Sequence, residues 1–382
     1  MMMVTLLGEK PAMQGSFIST KNMDDLIKKA YYFIPDISGF SGFVENTAIE
    51  HSIHIVSELL EILLDNNVLE MKLAEVEGDA LFMYAENHME FPQLENQISK
   101  MLNAFRKHLH RYQHQRICNC GACSTAIELK IKFLVHFGRL DFIKVKQIRK
   151  PYGMDVNRIH RLLKNDVPLK EYLLLSNPSL EQFKLDPETS GFRKLESQYN
   201  IRILPYYYKD LATYKTDFKE KASKESRIGI DKKAEVVVER EIAVPITKVF
   251  ELVSNFKYRK QWDRSLTEIH YDDGQVNRIG SRHTCIIGNK KLNFETIGNN
   301  EFMADQVYAE NTASLPMTSD YKFYILLDKV NETTTGIKVL NFIELDWLGR
   351  IFKKRIHRKI NTNWNKKLRS LEVLALSKSN AE

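Results

Sequence analysis

Two aspartates stand beside predicted strands, and both have the chemistry of a metal ligand. Asp36 follows the apolar run Tyr31–Ile34, and Gly39 allows the backbone to turn sharply before the next helix. Asp79 lies at the tip of a predicted hairpin. Two carboxylates can hold two hard cations that bridge phosphate oxygens and lower the pKa of an attacking hydroxyl group. An aspartate at a strand end is also a common cap or turn residue, so the alternative is a purely structural role.

Asn157 and Arg161 form a second candidate pair. They are four residues apart in Met154–Leu163, which is predicted to be a helix, so they share one helix face. The guanidinium group offers a planar fork for phosphate oxygens, which is a strong contribution in phosphoryl transfer. The alternative is a solvated helix face, which is the ordinary role of such a pair.

Basic residues are dense around this helix and are offset only by Asp155. A run of like charges is usually a solvated face, but beside a phosphate site it also attracts a triphosphate. The basic residues of this stretch are Lys144, Lys146, Arg149, Lys150, Arg158, Arg161 and Lys164.

The elements that position these residues follow from the spacing of apolar side chains. That spacing predicts helices over Thr47–Asn67 and from Pro92 onward, and strands over Val68–Val76, Ala80–Tyr84, Ile127–Phe137 and Tyr172–Leu175. Their order predicts an α+β fold in which helices cover a mostly antiparallel sheet.

The stretch from about Tyr31 to Ser176 resembles the catalytic domain of class III nucleotidyl cyclases, the adenylate and guanylate cyclases. The resemblance rests on the Asp-Ile-Ser-Gly-Phe turn that begins at Asp36, on the Gly-Asp hairpin tip at Asp79, and on the Asn-x-x-x-Arg pattern after the turn at Gly153. It implies a ferredoxin-like, cyclase-type sheet with covering helices. It also implies a head-to-tail homodimer, because in this family the two halves of each site belong to different protomers.

The same resemblance implies a role for each of the four residues. Asp36 and Asp79 would bind two Mg²⁺ or Mn²⁺ ions per site. Asn157 would orient the ribose, and Arg161 would neutralise the phosphoryl transition state.

Two positions depart from the family pattern and concern the base of the nucleotide. Adenylate cyclases usually carry Lys four residues before the hairpin aspartate, whereas this chain has Glu75, as guanylate cyclases do. The partner position, usually Asp or Cys, holds Lys150, which can donate to a base carbonyl but cannot accept from an amine. The sequence therefore assigns base recognition to Glu75 and Lys150 and leaves the base, and turnover itself, open.

Three cysteines lie within six residues, Cys118, Cys120 and Cys123, and ordinary cyclase domains lack such a cluster. Three thiolates and one imidazole can form a tetrahedral Zn²⁺ site, for which His114 is the predicted fourth ligand. The alternatives are a redox role and a reduced, partly buried loop whose cysteines act as small hydrophobic residues.

In the second half of the chain, the sequence pattern predicts a strand, a short helix that begins at Ile246, several β-like segments and a long helix over Trp347–Leu376. This order, and the stretch AVPITKVFELVSNFKYRKQWD, resemble the START-like superfamily (SRPBCC, polyketide-cyclase-like). The resemblance implies a helix-grip domain whose last helix covers an apolar cavity, and hence a hydrophobic small molecule or lipid as ligand. The other face of that helix is basic, which suits an anionic membrane or partner as well as solvation.

Length and composition fit a globular protein of two domains, with 382 residues, 43% of them hydrophobic, and a net charge of +7. We predict a loose tail over 1–22, a cyclase-like domain over 23–186, a linker over 187–233 and a START-like domain over 234–378. No apolar run is long enough for a bilayer and the cysteines do not form an extracellular framework, so we predict a cytoplasmic protein. No known motif or aromatic interleaving accompanies the basic residues, so a nucleic-acid partner is not expected.

Two functions remain compatible with the sequence. The first is a nucleotidyl cyclase that converts a nucleoside triphosphate into a 3′,5′-cyclic nucleotide and pyrophosphate at a homodimer interface, coupled to a ligand-binding domain. The alternative is a catalytically inactive cyclase-like module that binds nucleotide or dimerises, and serves a lipid- or metabolite-binding domain.

Overall fold

The computed structural model describes residues 28–39, 43, 49–118, 121–199, 202–212, 214, 233–298 and 302–379. Within these ranges the chain forms two seven-stranded sheets and a separate two-stranded hairpin, so the prediction of a mixed α+β protein is confirmed. The predicted tail over 1–22 lies outside the described residues. None of the helices in these ranges is long and apolar enough to cross a membrane.

The first sheet has the strand order β2-β3-β1-β4-β7-β9-β8 and is antiparallel except between β4 and β7. The separate hairpin is β5-β6. The strands of this half are β1 (Lys29–Ser38), β2 (Lys72–Glu77), β3 (Ala80–Ala85), β4 (Lys130–Arg139), β5 (Asp141–Val145), β6 (Ile148–Tyr152), β7 (Tyr172–Ser176), β8 (Arg193–Tyr199) and β9 (Arg202–Asp210).

Helices cover both faces of this sheet. They are α1 (Ile49–Asp65), α2 (Phe91–Gln115), α3 (Gly121–Thr125), α4 (Met154–Leu162) and α5 (Asn177–Gln182). Successive side chains of β1 point to opposite faces, so Tyr31 and Phe33 share a core with α1 and α2, whereas Tyr32 and Ile34 share a core with α4. A strand buried on both faces reads as a continuous apolar run, which is why the sequence revealed β1 so clearly.

Part of the segment predicted as a linker is sheet in the structure. Strands β8 and β9 extend the first sheet beyond β7 and lie within the predicted linker range 187–233. Tyr206 and Tyr208 of β9 are buried, and the aromatic alternation is typical of a strand. Pro205 and the many charged residues nearby hid this signal in the sequence.

The second sheet is fully antiparallel, with the order β10-β16-β15-β14-β13-β12-β11. Its strands are β10 (Val236–Ile242), β11 (Glu268–His270), β12 (Arg282–Ile287), β13 (Lys290–Thr296), β14 (Gln306–Thr312), β15 (Thr318–Asn331) and β16 (Thr334–Leu345). The helices of this half are α6 (Ile246–Ser254), α7 (Phe256–Trp262), α8 (Trp347–Ile351) and α9 (Lys353–Ser379).

The long helix α9 packs on this sheet through the apolar stripe that the sequence predicted. Trp364, Leu368 and Leu371 are buried, and the Trp364 ring lies 4.9 Å from that of Phe323 on β15, centroid to centroid. The predicted single helix is interrupted at Phe352, which ends the short helix α8. Asp346 caps the start of α8 by accepting a hydrogen bond from the Gly349 amide.

The two halves contact each other through a buried carboxylate on α1. Glu58 accepts hydrogen bonds from the backbone amide of Val276 (2.8 Å) and from the guanidinium group of Arg278 (2.7 Å), and it pairs with His108 of α2. The amide of Ile279 also donates to the carbonyl of Gln115 at the end of α2. We call this region the junction.

The interior of the second half contains an ion pair that water scarcely reaches. The guanidinium group of Arg259 on α7 lies 3.0 Å from the Glu310 carboxylate on β14, and these side chains are 2% and 0% exposed. Tyr308 also donates to Glu310, and the Arg259 guanidinium lies over the Trp262 ring. Arg259, Glu310 and Tyr308 thus form a polar group inside the half for which the START-like resemblance implies a hydrophobic ligand. That ligand stays a prediction.

His283 on β12 lies beside this ion pair and gives the fold a pH dependence. Burial and the positive charge of Arg259 lower its pKa to about 4, against the opposing effect of Glu310. The unfolded chain, with a histidine pKa of about 6.5, therefore binds more protons between about pH 4 and 6.5, and acid favours unfolding. We expect this residue to contribute about 2 kcal/mol to the loss of unfolding free energy between about pH 7.5 and about pH 5.

Urea unfolding of the wild type and of His283→Gln at these two pH values measures that contribution. The pH-dependent loss should be smaller in the variant by the stated amount, since glutamine does not titrate. His270 is exposed, so His270→Gln should leave the pH dependence unchanged. Equal losses in the wild type and in His283→Gln would show that His283 is not held neutral by the fold.

Candidate functional site

Strand pairing brings the two predicted metal ligands to neighbouring positions. Asp36 on β1 stands opposite Ala80 on β3, the residue that follows Asp79. The backbone amide of Ile37 donates to the Asp79 carbonyl oxygen at 3.1 Å, which fixes the hairpin tip against the end of β1. Gly78, with φ of +66°, supplies the left-handed conformation that this tip requires.

The electrostatics of the two carboxylates show that they interact. Burial and the charge of Asp36 raise the pKa of Asp79 to about 6. Burial also raises the pKa of Asp36, and the nearby Lys132 opposes this effect. A buried and a partly buried carboxylate that repel each other form a site that a cation stabilises.

Lys132 is a member of this site that the sequence analysis missed. It stands directly opposite Asp36 on β4, and its ammonium nitrogen lies 3.1 Å from the Asp36 carboxylate. Two carboxylates form a hard oxygen donor set that fits Mg²⁺ or Mn²⁺. A cation bound there would share Asp36 with the ammonium group. The alternation of apolar and polar residues predicts that Lys132 lies on a strand. Only the register between β1 and β4 shows that Lys132 faces Asp36.

The two residues assigned to base recognition form an ion pair. The ammonium nitrogen of Lys150 on β6 lies 2.6 Å from a carboxylate oxygen of Glu75 on β2, and both side chains are 40% exposed. They come from different sheets and are 75 residues apart in sequence, yet the family pattern predicted that they belong together. The pair presents one hydrogen-bond acceptor and one donor side by side.

Asn157 and Arg161 lie on the exposed face of α4. The opposite face of this helix packs on the sheet through Ile159 and Leu162, which are buried. A helix with this orientation presents the amide and the guanidinium group outward, where a ligand or a second chain can reach them. The structure thus gives this pair the side-by-side arrangement that their spacing predicted.

A hydrogen-bond network fixes the start of α4. Asp155 accepts hydrogen bonds from the Arg139 amide (2.8 Å) and from Arg158 (2.7 Å), and its other contact is His136 of β4 at 3.0 Å. These partners lower the pKa of Asp155 to about 2. Gly138 is required here, because a Cβ at that position would lie 2.4 Å from Asp155 Cγ. From the sequence, Asp155 was predicted only to offset the charge of the basic stretch.

The same network contains contacts from Ser176 to His136 and from His136 to Asp155, and this Ser-His-Asp arrangement has a packing role. Ser176 Oγ lies 2.7 Å from His136 Nδ1, and His136 Nε2 contacts Asp155. Ser176 and His136 are buried, and the serine also caps α5 by accepting from the Ser179 amide. A nucleophile buried in this way cannot reach a substrate, so this arrangement is structural.

Glu77 also contacts α4. Its carboxylate lies 2.8 Å from His160 Nε2, so the hairpin tip and the helix that carries Arg161 are joined within one chain. The Glu77 carboxylate is therefore in contact with α4, and its side chain is 28% exposed.

The cysteine cluster meets a different histidine from the one predicted. The thiols of Cys118 and Cys123 and the imidazole of His51 on α1 have their ligand atoms within 4.8 Å of one another. His114 is exposed on α2, and its ring is tilted against that of His110, with 4.3 Å between centroids. The assignment of His114 is thus replaced by His51, which only the packing of α1 against α2 reveals. Cys120 lies outside the described residues.

Apolar side chains are exposed on the β5-β6 hairpin next to Lys150. Val145, Ile148 and Tyr152 are each about 60% exposed, and Met154 follows at the start of α4. Such a group of exposed apolar residues is unusual on a surface that faces only water.

The sequence comparisons match the first half of the chain. Residues 56–172 match the profile of a family described as a protein of unknown function, DUF2652. A protein of Mycobacterium tuberculosis (strain ATCC 25618 / H37Rv), described as uncharacterized, is 34% identical over 122 residues. That match covers 32% of this chain and 57% of the relative's length, so the chain spans little more than half of this relative.

The structural comparisons include nucleotidyl cyclases at low similarity. The guanylyl cyclase Cya2 is 14% identical, with a TM-score of 0.37, over 47% of this chain and 90% of that chain. The adenylyl cyclase CyaB from P. aeruginosa is 16% identical, with a TM-score of 0.34, over 48% of this chain and 94% of that chain. TM-scores of this size do not establish a common fold by themselves.

Proposed function

We propose that this protein is a nucleotidyl cyclase that converts a nucleoside triphosphate into a 3′,5′-cyclic nucleotide and pyrophosphate. The observation that carries the proposal is the pairing of β1 with β3, which brings Asp36 and Asp79 together as a hard-cation site. Glu75 and Lys150 form a donor–acceptor pair for the base, and Asn157 and Arg161 stand outward on α4.

At the α-phosphorus the reaction forms one P–O bond and breaks one P–O bond. The ribose 3′-oxygen attacks the α-phosphorus and its proton passes to solvent water, while the bond from this phosphorus to the bridging oxygen of the β-phosphate breaks and pyrophosphate leaves with that oxygen. Asp36 and Asp79 would hold the divalent ions, which would supply charge neutralisation at the phosphates. The amide of Asn157 positions the ribose, and the guanidinium group of Arg161 donates to the phosphoryl oxygens as negative charge develops.

The combination of an acceptor at Glu75 and a donor at Lys150 favours guanine as the base. A carboxylate only accepts hydrogen bonds, so Glu75 suits the N1–H and amino group of guanine, and the ammonium group of Lys150 suits its O6 acceptor. Adenine presents an amine and an acceptor nitrogen in the reverse order. The ion pair opens to admit the base, and each partner then exchanges one hydrogen bond for another.

A homodimer is part of this proposal. The exposed apolar residues of the β5-β6 hairpin lie next to Lys150 and precede the helix that carries Asn157 and Arg161. A second copy that covers this hairpin would bury the apolar side chains and bring its own Asp36 and Asp79 to this helix. The site would be completed only in the dimer.

A nucleotide screen tests the proposed activity. The purified full chain with Mn²⁺ is given each ribonucleoside triphosphate, and cyclic product and pyrophosphate are measured by mass spectrometry. We expect product from GTP in preference to the other nucleotides, and loss of product in Asp36→Ala. Undiminished turnover in Asp36→Ala, or no product from any nucleotide with dimeric protein, would overturn the assignment.

A charge-exchanged variant tests base recognition separately. Glu75→Lys combined with Lys150→Asp keeps an ion pair at the same place and reverses its donor and acceptor. We expect the preference to shift from GTP toward ATP in this double variant. The exchange of Lys194 with Glu196, an exposed pair on β8, is the matched control and should leave the preference unchanged.

The alternative function is a cyclase-like module that binds nucleotide without turnover. Lys132 favours it, because its ammonium group already neutralises Asp36 in the way that a bound cation would. Binding of a GTP analogue to the dimer with no product under any metal condition would support this alternative.

We propose that the second half is a ligand-binding domain, as its START-like resemblance implies. The long helix α9 packed on an antiparallel sheet supports this assignment. The ligand class implied by the resemblance is a hydrophobic small molecule or lipid, and the proposal is tested by extraction of purified protein and mass spectrometry of the extract.

A further inference from the structure

Three soft ligand atoms meet where α1 begins and α2 ends. His51 lies in the first turn of α1, Cys118 follows the end of α2, and Cys123 lies in α3. Cys118 and Cys123 are buried, at 8% and 3% exposure, and His51 is partly exposed. None of these residues belongs to the site formed around Asp36 and Asp79.

The distances suit a tetrahedral metal ion. His51 Nδ1 lies 3.5 Å from Cys123 Sγ. Tetrahedral Zn²⁺ with a Zn–S distance of about 2.3 Å and a Zn–N distance of about 2.0–2.1 Å separates a sulfur and a nitrogen ligand by about 3.5–3.6 Å. All three ligand atoms lie within 4.8 Å of one another, whereas two sulfur ligands of Zn²⁺ are about 3.8 Å apart, so side-chain movements of about 1 Å complete the geometry.

The chemistry of the ligands selects the metal. Thiolate and imidazole are the donors that structural zinc sites use, whereas Mg²⁺ and Mn²⁺ prefer oxygen. The Asp36 and Asp79 carboxylates have the opposite preference. One chain therefore carries two donor sets with opposite metal preferences.

The position of the cluster indicates a structural role at the junction. A cavity of about 370 Å³ lies between the halves, and its wall includes His51 and Cys118 from the first half and Phe256 and Val276 from the second. Glu58, two turns along α1 from His51, accepts the hydrogen bond from the Val276 amide. A metal that joins the start of α1 to the end of α2 would hold Glu58 in place for the second half.

We propose that His51, Cys118 and Cys123 supply three of the four ligands of one tetrahedral Zn²⁺ that fastens α1 to α2 at the junction between the halves. Folding and zinc binding are then coupled, as they are in other structural zinc sites. This proposal is independent of nucleotide turnover, because it concerns other residues and another metal.

Zinc content of the full chain, purified under reducing conditions without chelators, tests the proposal directly. We expect about one zinc per chain in the wild type and less than about one tenth in His51→Gln and Cys123→Ser. His114→Gln and Cys285→Ser are the matched controls, since one residue is exposed on α2 and the other is a buried thiol of the second half, and both should retain zinc.

Two measurements on the wild type keep the proposal testable even where a variant does not fold. Replacement of zinc by Co²⁺ should give the visible absorption of tetrahedral cobalt and a thiolate-to-metal charge-transfer band. Removal of zinc should raise the hydrogen-exchange rates of the Val276 and Ile279 amides by at least about 10-fold, because their partners Glu58 and Gln115 become mobile.

Other results would overturn the proposal. The first is wild-type protein that contains no zinc and does not bind added Zn²⁺ after reduction, and the second is a disulfide between Cys118 and Cys123 in place of the metal. The third is retention of zinc in both His51→Gln and Cys123→Ser. The fourth is that removal of zinc leaves the hydrogen-exchange rates of the Val276 and Ile279 amides unchanged.

Discussion

Replacing Arg161 by alanine is expected to lower the rate of cyclic nucleotide formation by about 10³–10⁵-fold, the range found for arginines that neutralise a phosphoryl transition state. The side chain lies on the exposed face of α4, so its removal costs no core packing and the fold is kept. Steady-state rates of product formation with Mn²⁺ measure the effect. Lys100→Ala, which removes an exposed positive charge from α2, is the control and should keep its rate.

The same variant tests whether each site is shared between two chains. Arg161→Ala and Asp79→Ala are each expected to be inactive, because each lacks one half of both sites in the dimer. Mixed dimers contain one intact site, so an equal mixture of the two variants should recover about a quarter of the wild-type rate. No recovery, with subunit exchange demonstrated by native mass spectrometry, would show that the site is not divided between chains. A wild-type rate in Arg161→Ala alone would remove this residue from the mechanism.

Replacing Glu310 by alanine is expected to lower the free energy of unfolding by about 3–5 kcal/mol, because it leaves the Arg259 guanidinium group buried without its partner. Both side chains are almost inaccessible to water, and Tyr308 loses the acceptor of its hydroxyl group as well. Urea denaturation at neutral pH measures the loss. The matched control is Glu239→Ala, which breaks an exposed pair with Lys338 on the same sheet and should cost less than about 1 kcal/mol.

A second variant separates the loss of the pair from the loss of volume. Arg259→Met combined with Glu310→Leu removes both charges and fills the space with apolar atoms, so it should recover most of the stability that Glu310→Ala loses. A double variant as unstable as Glu310→Ala would show that the cost comes from the cavity. A cost below about 1 kcal/mol in Glu310→Ala would contradict the argument from burial.

The sequence by itself predicted the strands β1, β3, β4 and β7 and the helices α1, α2 and α4 of the first half, and it singled out the two aspartates of the candidate site. An apolar run buried on both faces marks β1, helical spacing of apolar residues marks α1 and α2, and the turn residue Gly78 marks the hairpin. These signals are local, because each depends on the repeat of one helix or strand and on the backbone freedom of one residue. The family pattern also related Glu75 to Lys150 as two residues for base recognition, although it did not predict that they form an ion pair.

Only the tertiary structure decided which side chains meet across elements. Register places Lys132 opposite Asp36, the packing of α1 on α2 brings His51 rather than His114 to the thiols, and β9 proved to be part of the first sheet rather than linker. Contacts of this kind depend on which elements become neighbours, and the repeat of a single helix or strand carries no information about its neighbours. The burial of Glu58 at the junction has the same origin, because it needs both halves to be folded and in contact.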